Sequence, residues 1–187
     1  MRTRLNSHAG GKNFICLVTS MVAGGGATYV GMNLASAICL DRTKTSLFVD
    51  SNLYAPSAEC LLPVESQLGL TDYLDDASMG VEQIVYASGV PRLRVVPVGN
   101  NRDGGTEKIT SKRMKSFVAE VKNRYPDRYI IVDSPPVMDY SAETSILADL
   151  CDFVVLVVPY ARVTETQIKN VIDDLGPRLA GVVFNNS

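Results

Sequence analysis

Apolar positions along the chain alternate between two rhythms. Short runs that are apolar almost throughout recur at Phe14–Val18, Thr45–Asp50, Leu93–Val98, Tyr129–Asp133, Asp152–Val158 and Ala180–Phe184. Runs of that length and β-branched character read as strands buried on both faces. Between them lie helical spacings. Val30, Leu34, Ala35 and Ile38 share one face, and Met114, Phe117, Val118, Val121 and Tyr125 form a stripe over 111–125. Ile168, Val171, Ile172 and Leu175 do the same over 164–175, where Gly176-Pro177 ends the helix. Short helical pieces are expected near 70–76 and 81–87, and loops over 51–69 and Gly99–Thr106. The alternation predicts one α/β domain over residues 1–187, a mostly parallel sheet with helices on both faces.

In such a sheet, ligands bind beyond the carboxyl ends of the strands. Thr28, Asp50, Asp133 and Asn185 all fall at those ends and are expected to converge. The first strand runs into Gly24, Gly25 and Gly26, and a helix follows. A glycine turn lets several N–H groups face one point, and the helix dipole adds positive charge there. Thr28 stands where a P-loop places its metal-binding hydroxyl, but the lysine before it is replaced by Ala27. The loop is a phosphate cradle without its cation.

Composition narrows the choices. The 187 residues are 46% apolar and 20% charged with a formal charge of −2, which gives no bulk reason to expect nucleic-acid binding. The basic residues of 111–125 fall mostly outside the apolar stripe and read as a solvated face. The apolar run Phe153–Pro159 is too short to span a bilayer, and the N-terminus lacks a signal-like apolar stretch. Cys16, Cys39, Cys60 and Cys151 have no metal-ligand spacing, and most are expected to be buried free thiols. With His8, near the chain start, the only histidine, neither a Ser-His-Asp triad nor a multi-histidine metal site is expected.

A dinucleotide-binding oxidoreductase is the competing reading. Asp50 lies about two dozen residues beyond Gly26, near where a ribose-binding carboxylate belongs. Against it, Tyr29 occupies the place of the third glycine, and no catalytic histidine is evident.

The segments TSMVAGGGATYVGMNLA, LFVDSNLYAP, YIIVDSPPV and AGVVFNN, in that order, resemble the bacterial tyrosine kinases of capsule and exopolysaccharide synthesis. These are P-loop ATPases related to MinD and ParA. The resemblance covers nearly the whole chain. Ser20, Gly24, Gly26 and Thr28 match the family's first loop, while Ala27 holds its lysine position and Val22 that of the partitioning ATPases' signature lysine. Asp50 is retained in the second motif, but its second acid is Asn52 and its arginine is Tyr54. Asp133 matches the third motif, and Asn185 falls where the family contacts adenine. The tyrosine-rich tail has no counterpart here, and residues 1–12 resemble the end of the family's oligomerisation helix.

The resemblance implies a degenerate kinase, with Asp50, Asn52 and Asp133 as vestiges of the catalytic set. ATP or ADP would lie on Gly24, Gly25, Gly26, Ala27, Thr28 and Asn185, and Mg²⁺ on Thr28, Asp50 and Asp133. Weak binding and an empty site both stay open. The implied partner is the cytoplasmic part of a membrane polysaccharide co-polymerase, with homo- or hetero-oligomers among kinase homologues, and the implied place is the cytoplasm at the inner face of the membrane. A slow ATPase completed by a neighbouring subunit's cation is the family's other reading.

Overall fold

In a computed structural model describing residues 1–63 and 65–186, seven strands form one sheet. The strands are β1 (Ile15–Ser20), β2 (Thr45–Asp50), β3 (Tyr86–Ala87), β4 (Leu93–Val96), β5 (Arg128–Asp133), β6 (Phe153–Pro159) and β7 (Leu179–Asn185). The helices are α1 (Arg2–His8), α2 (Ala27–Ile38), α3 (Leu70–Asp75), α4 (Gly105–Thr110), α5 (Lys112–Arg124), α6 (Ser141–Asp149) and α7 (Glu165–Leu175). The spatial order is β3-β4-β2-β5-β1-β6-β7, parallel except for the short edge pair β3–β4. In a dinucleotide-binding sheet β1 lies next to β2. Here β5 separates them, so that alternative is excluded by topology.

Side chains alternate across the sheet with the period of two that strands impose. Cys16, Val18, Phe48, Tyr129, Ile131, Val155 and Val157 face one core, which α1 and α2 cover with Leu5, Leu34, Ala35 and Ile38. Ile15, Leu17, Leu47, Val49, Ile130, Val132, Val154 and Leu156 face the other, which α3 to α7 cover. Each fully buried branched or aromatic side chain contributes about 1.5–3 kcal/mol, so both faces of the sheet supply stability. Helix α2 lies close to the strands because Gly31 has no side chain: a Cβ there would sit 3.1 Å from the Phe48 ring. That close approach sets where the N-terminus of α2, and with it the glycine loop, is held.

Several local expectations change. Residues 81–87 are not helical beyond a 3-10 turn at Val81–Gln83, because Tyr86 and Ala87 pair antiparallel with Val95 and Arg94. The Gly99–Thr106 loop ends earlier: left-handed Gly104 starts α4, whose Ile109 is buried. Helix α6 has no clean apolar stripe in sequence, since it buries Glu143 and Thr144 beside Leu147 and Ala148. On α5, Ser111 caps the N-terminus by accepting the Met114 N–H. Arg113 is not solvated as its pattern suggested. It stacks on Tyr73 and donates to the Tyr73, Asp76 and Met79 carbonyls, tying α5 to α3. Three of the four cysteines are buried free thiols, and Cys60 is exposed. Among the described residues, no helix is long and apolar enough to cross a membrane.

Candidate functional site

The loop between β1 and α2 closes on itself through two bonds to one carbonyl. The Ser20 hydroxyl and the Gly25 N–H both donate to Val22 O, at 2.9 and 3.1 Å. Gly24 and Gly26 take left-handed φ values of +67° and +92°, which side-chain-bearing residues rarely adopt. A Cβ on Gly25 would meet Ser20 Cβ at 2.7 Å and Val22 O at 2.9 Å. The curl therefore requires glycine at all three positions. It leaves the N–H groups of Gly24, Gly26, Ala27 and Thr28 without acceptors among the described residues. Gly26 precedes α2 without a side-chain cap, and the helix has no acid of its own in its first turn; the carboxylate that meets its positive end is Asp133 of β5, bonded to Thr28.

Beneath the loop, strands β1, β2 and β5 bring the two predicted carboxylates side by side. Asp50 and Asp133 are register partners in the β2–β5 ladder, and both are fully buried. Their surroundings differ. Asp50 accepts the Asn52 N–H on one oxygen and the Ser57 and Ala58 N–H groups on the other, at 2.9–3.0 Å. Those bonds, with the Arg102 charge, favour its ionised form against the cost of burial, which pushes its pKa up. Asp133 accepts a single bond, 2.6 Å from Thr28 Oγ1, and its other oxygen is buried with no partner among the described residues. Burial first, and then the neighbouring Asp50 charge, raise its pKa well above the usual carboxylate range. Of the pair, Asp133 is the better proton holder.

Above these groups lies a cavity of about 470 Å³. Its walls include the glycine loop, Ala27, Thr28, Asn52 and Ser134, and none of the residues lining it carries a charge. The far wall is aromatic. Tyr54 and Tyr140 stack with ring centroids 3.7 Å apart and planes 14° apart. The Tyr54 hydroxyl donates to Glu143 Oε1 at 3.0 Å, and Thr106 donates to the same oxygen at 2.6 Å. Hydrogen bonding from Thr106 is the main reason the Glu143 pKa is lowered.

Thr28, Asn52 and the three glycines thus line one cavity, while Asp133 lies buried beneath it, bonded to Thr28, and Asp50 lies beside Asp133, bonded to its own loop. Asn185 sits on the glycine loop, its side-chain amide donating to Gly25 O at 3.1 Å. Sequence reasoning did not pick out Tyr140, Glu143, Thr106 or Arg162. The first three lie in or beside helices α4 and α6, which carry no clear periodic signal. Arg162 follows β6, so the strand-end rule that chose Asp50 and Asp133 also points to it. It donates to Ala23 O at 2.8 Å.

The fold and cavity place the chain among P-loop-type α/β proteins. It superposes on the VpsO kinase domain with a TM-score of 0.86 at 25% identity, covering 100% of this chain and 92% of that one. The kinase domain of the Escherichia coli tyrosine kinase ETK gives 0.87 at 22%, covering 99% and 72%. The Pyrococcus horikoshii septum site-determining protein MinD, complexed with Mg-ADP, gives 0.69 at 20%, covering 91% and 68%. No protein-family model matches the chain, and no curated protein matches it in sequence. The structural neighbours are bacterial tyrosine kinase domains, with MinD and ParA ATPases further off.

Proposed function

We infer that this is a tyrosine-kinase-like domain that holds a nucleotide weakly, transfers little or no phosphoryl group, and acts in exopolysaccharide polymerisation or export by binding other proteins. The observation that carries this reading is a glycine cradle with unpaired amides opening on a cavity lined by no charged side chain.

The residues present fit a phosphate and a magnesium ion. Glycine is required at the cradle, and the unpaired Asp133 oxygen beside the Thr28 hydroxyl suits a hard cation's shell. Thr28 and Asp133 would hold Mg²⁺, and Gly24, Gly26, Ala27 and Thr28 would hold phosphate through their N–H groups. When bound, the metal neutralises phosphate charge. Asp50, spent on three backbone N–H groups, would act on the metal at most through Asp133 and water.

Phosphoryl transfer needs more than this. It depends on positioning and on neutralising charge at the β- and γ-phosphates. A lysine about 4 Å from a phosphate oxygen contributes roughly 4 kcal/mol at an effective dielectric near 20, before desolvation. Its absence costs on the order of 10²–10³-fold in rate. Asn52 in place of a carboxylate and Tyr54 in place of an arginine remove two further charges. The polysaccharide role rests on the family resemblance of the sequence and on the kinase fold. In that role the partner is the cytoplasmic part of a membrane polysaccharide co-polymerase, at the inner face of the membrane, alone or in oligomers with kinase homologues. Residues 1–12, where α1 bonds Arg2 to the Ala37 carbonyl, would join such an oligomer.

Calorimetric titration with ADP and a non-hydrolysable ATP analogue, with and without Mg²⁺, tests the binding half. Magnesium-dependent binding at micromolar to low-millimolar affinity is expected. Flat titrations at millimolar ligand would leave only protein binding. An ATPase rate rising with protein concentration would instead mark an enzyme completed by a neighbouring subunit.

A further inference from the structure

The glycine loop is gripped from outside by two side chains that follow neighbouring strands. Arg162, in the turn after β6, donates from Nη2 to Ala23 O at 2.8 Å, and Asn185, at the end of β7, donates to Gly25 O at 3.1 Å. A trans peptide points its carbonyl and its following N–H in opposite directions. Holding the Ala23 and Gly25 carbonyls outward therefore turns the Gly24 and Gly26 N–H groups toward the other side. Those two amides are among the unpaired donors of the cradle.

Ala161 takes a left-handed φ of +54°, unusual for a residue with a Cβ, and the next residue, Arg162, reaches the loop at Ala23 O. Its Nη1 lies 3.5 Å from where a Cβ on Gly24 would be. No carboxylate pairs with this guanidinium among the described residues. A charged donor on a carbonyl polarises the whole peptide and strengthens its N–H as a donor to an anion.

We propose that Arg162 is the anion-positioning residue of this loop, presenting the Gly24 amide and lending, through one peptide unit, positive charge that the lysine-less cradle lacks. The ligand chemistry is a nucleotide diphosphate, so the proposal rests on the nucleotide reading above. A lysine inside a P-loop touches the phosphate itself. Arg162 acts from the opposite side of the peptide, and its contribution is correspondingly smaller.

The test is titration of the full chain with Mg-ADP at low and high KCl, for wild type, Arg162→Ala, Arg162→Gln and Arg162→Lys. Amide spectra of Gly24 and Gly26 are followed in parallel. Arg162→Ala is expected to weaken ADP about fivefold, less than one direct charge-assisted hydrogen bond because Arg162 acts through the peptide and not on the ligand. It should also flatten the salt dependence and abolish the ADP-induced shift of the Gly24 amide, with the melting temperature unchanged. Arg162→Gln keeps a donor without charge and should fall between wild type and Ala, while Arg162→Lys should recover more binding than Gln. Wild type that binds ADP while Arg162→Ala binds within twofold of it overturns the assignment alone. Lys binding no better than Gln overturns the charge component. Wild type that does not bind ADP removes the nucleotide reading, and this assignment with it.

Discussion

Thr28 Oγ1 donates to Asp133 Oδ2 at 2.6 Å, and the second oxygen of that carboxylate is buried with no partner among the described residues. A half-satisfied carboxylate at the end of a central strand weakens the free protein, because a buried acceptor without a donor forfeits its hydration. The same oxygen is what a cation's hydration shell needs.

Replacing Asp133 by Asn separates these two effects. The amide still accepts from Thr28 and removes the like-charge contact with Asp50. The variant is expected to be more stable than wild type by about 1–2 kcal/mol without nucleotide, a rise of roughly 3–6 °C in melting temperature. It should also lose the Mg²⁺ dependence of ADP binding. Thermal melts at neutral pH and paired titrations check both. A lower melting temperature would show that the charge is needed for folding.

Ala27→Lys restores the missing cation at the first position of α2, where Ala27 is 7% exposed and lines the cavity. Against desolvation, the gain in ADP affinity is expected to be about ten- to a hundredfold. Phosphotyrosine formation should stay at background, since Asn52 and Tyr54 still occupy positions of charged residues. Titration and an anti-phosphotyrosine blot with ATP are the two readouts, and transfer by this single variant would refute the view of Asn52 and Tyr54 as disabling.

Glu143 accepts from Thr106 and Tyr54, and these bonds hold its pKa below the ordinary glutamate value. A lowered pKa favours the folded state while the group is ionised. Its contribution is therefore full above about pH 4.3 and is lost as pH falls through the folded-state pKa. Glu143→Gln should flatten the acid limb of the stability profile below that pH, at a cost of about 1 kcal/mol near neutrality. Urea melts from pH 3 to 7 (about four pH units spanning the ionisation of this group) compare the two slopes.

Gly69 precedes α3 with ordinary extended backbone, so its need for glycine is one of space. A Cβ there would lie 2.5 Å from Pro97 O and 2.6 Å from Gly99 Cα, both main chain. Gly69→Ala should cost about 2–3 kcal/mol by forcing α3 off the end of β4. A urea midpoint within error of wild type would show that this junction yields.

The sequence by itself determined the layered α/β plan, the glycine cradle and the absent lysine. Each depends on near neighbours in the chain: β2 is read at its full span because the five residues after half-buried Thr45 are all buried, and the curl of Gly24–Gly26 follows from the missing side chains. Helices α4 and α6 stayed hidden because their burial is polar or brief, with Glu143 and Thr144 turned inward. Only the tertiary structure decided the roles of the two aspartates. They are equivalent as strand-end residues, yet the loop from Asn52 to Ala58 folds back onto Asp50 alone and leaves Asp133 half satisfied. It also brought Arg162 onto a loop 139 residues away, because β6 lies beside β1. Hydrogen bonds formed across such separations depend on strand order, which the pattern of apolar residues does not encode.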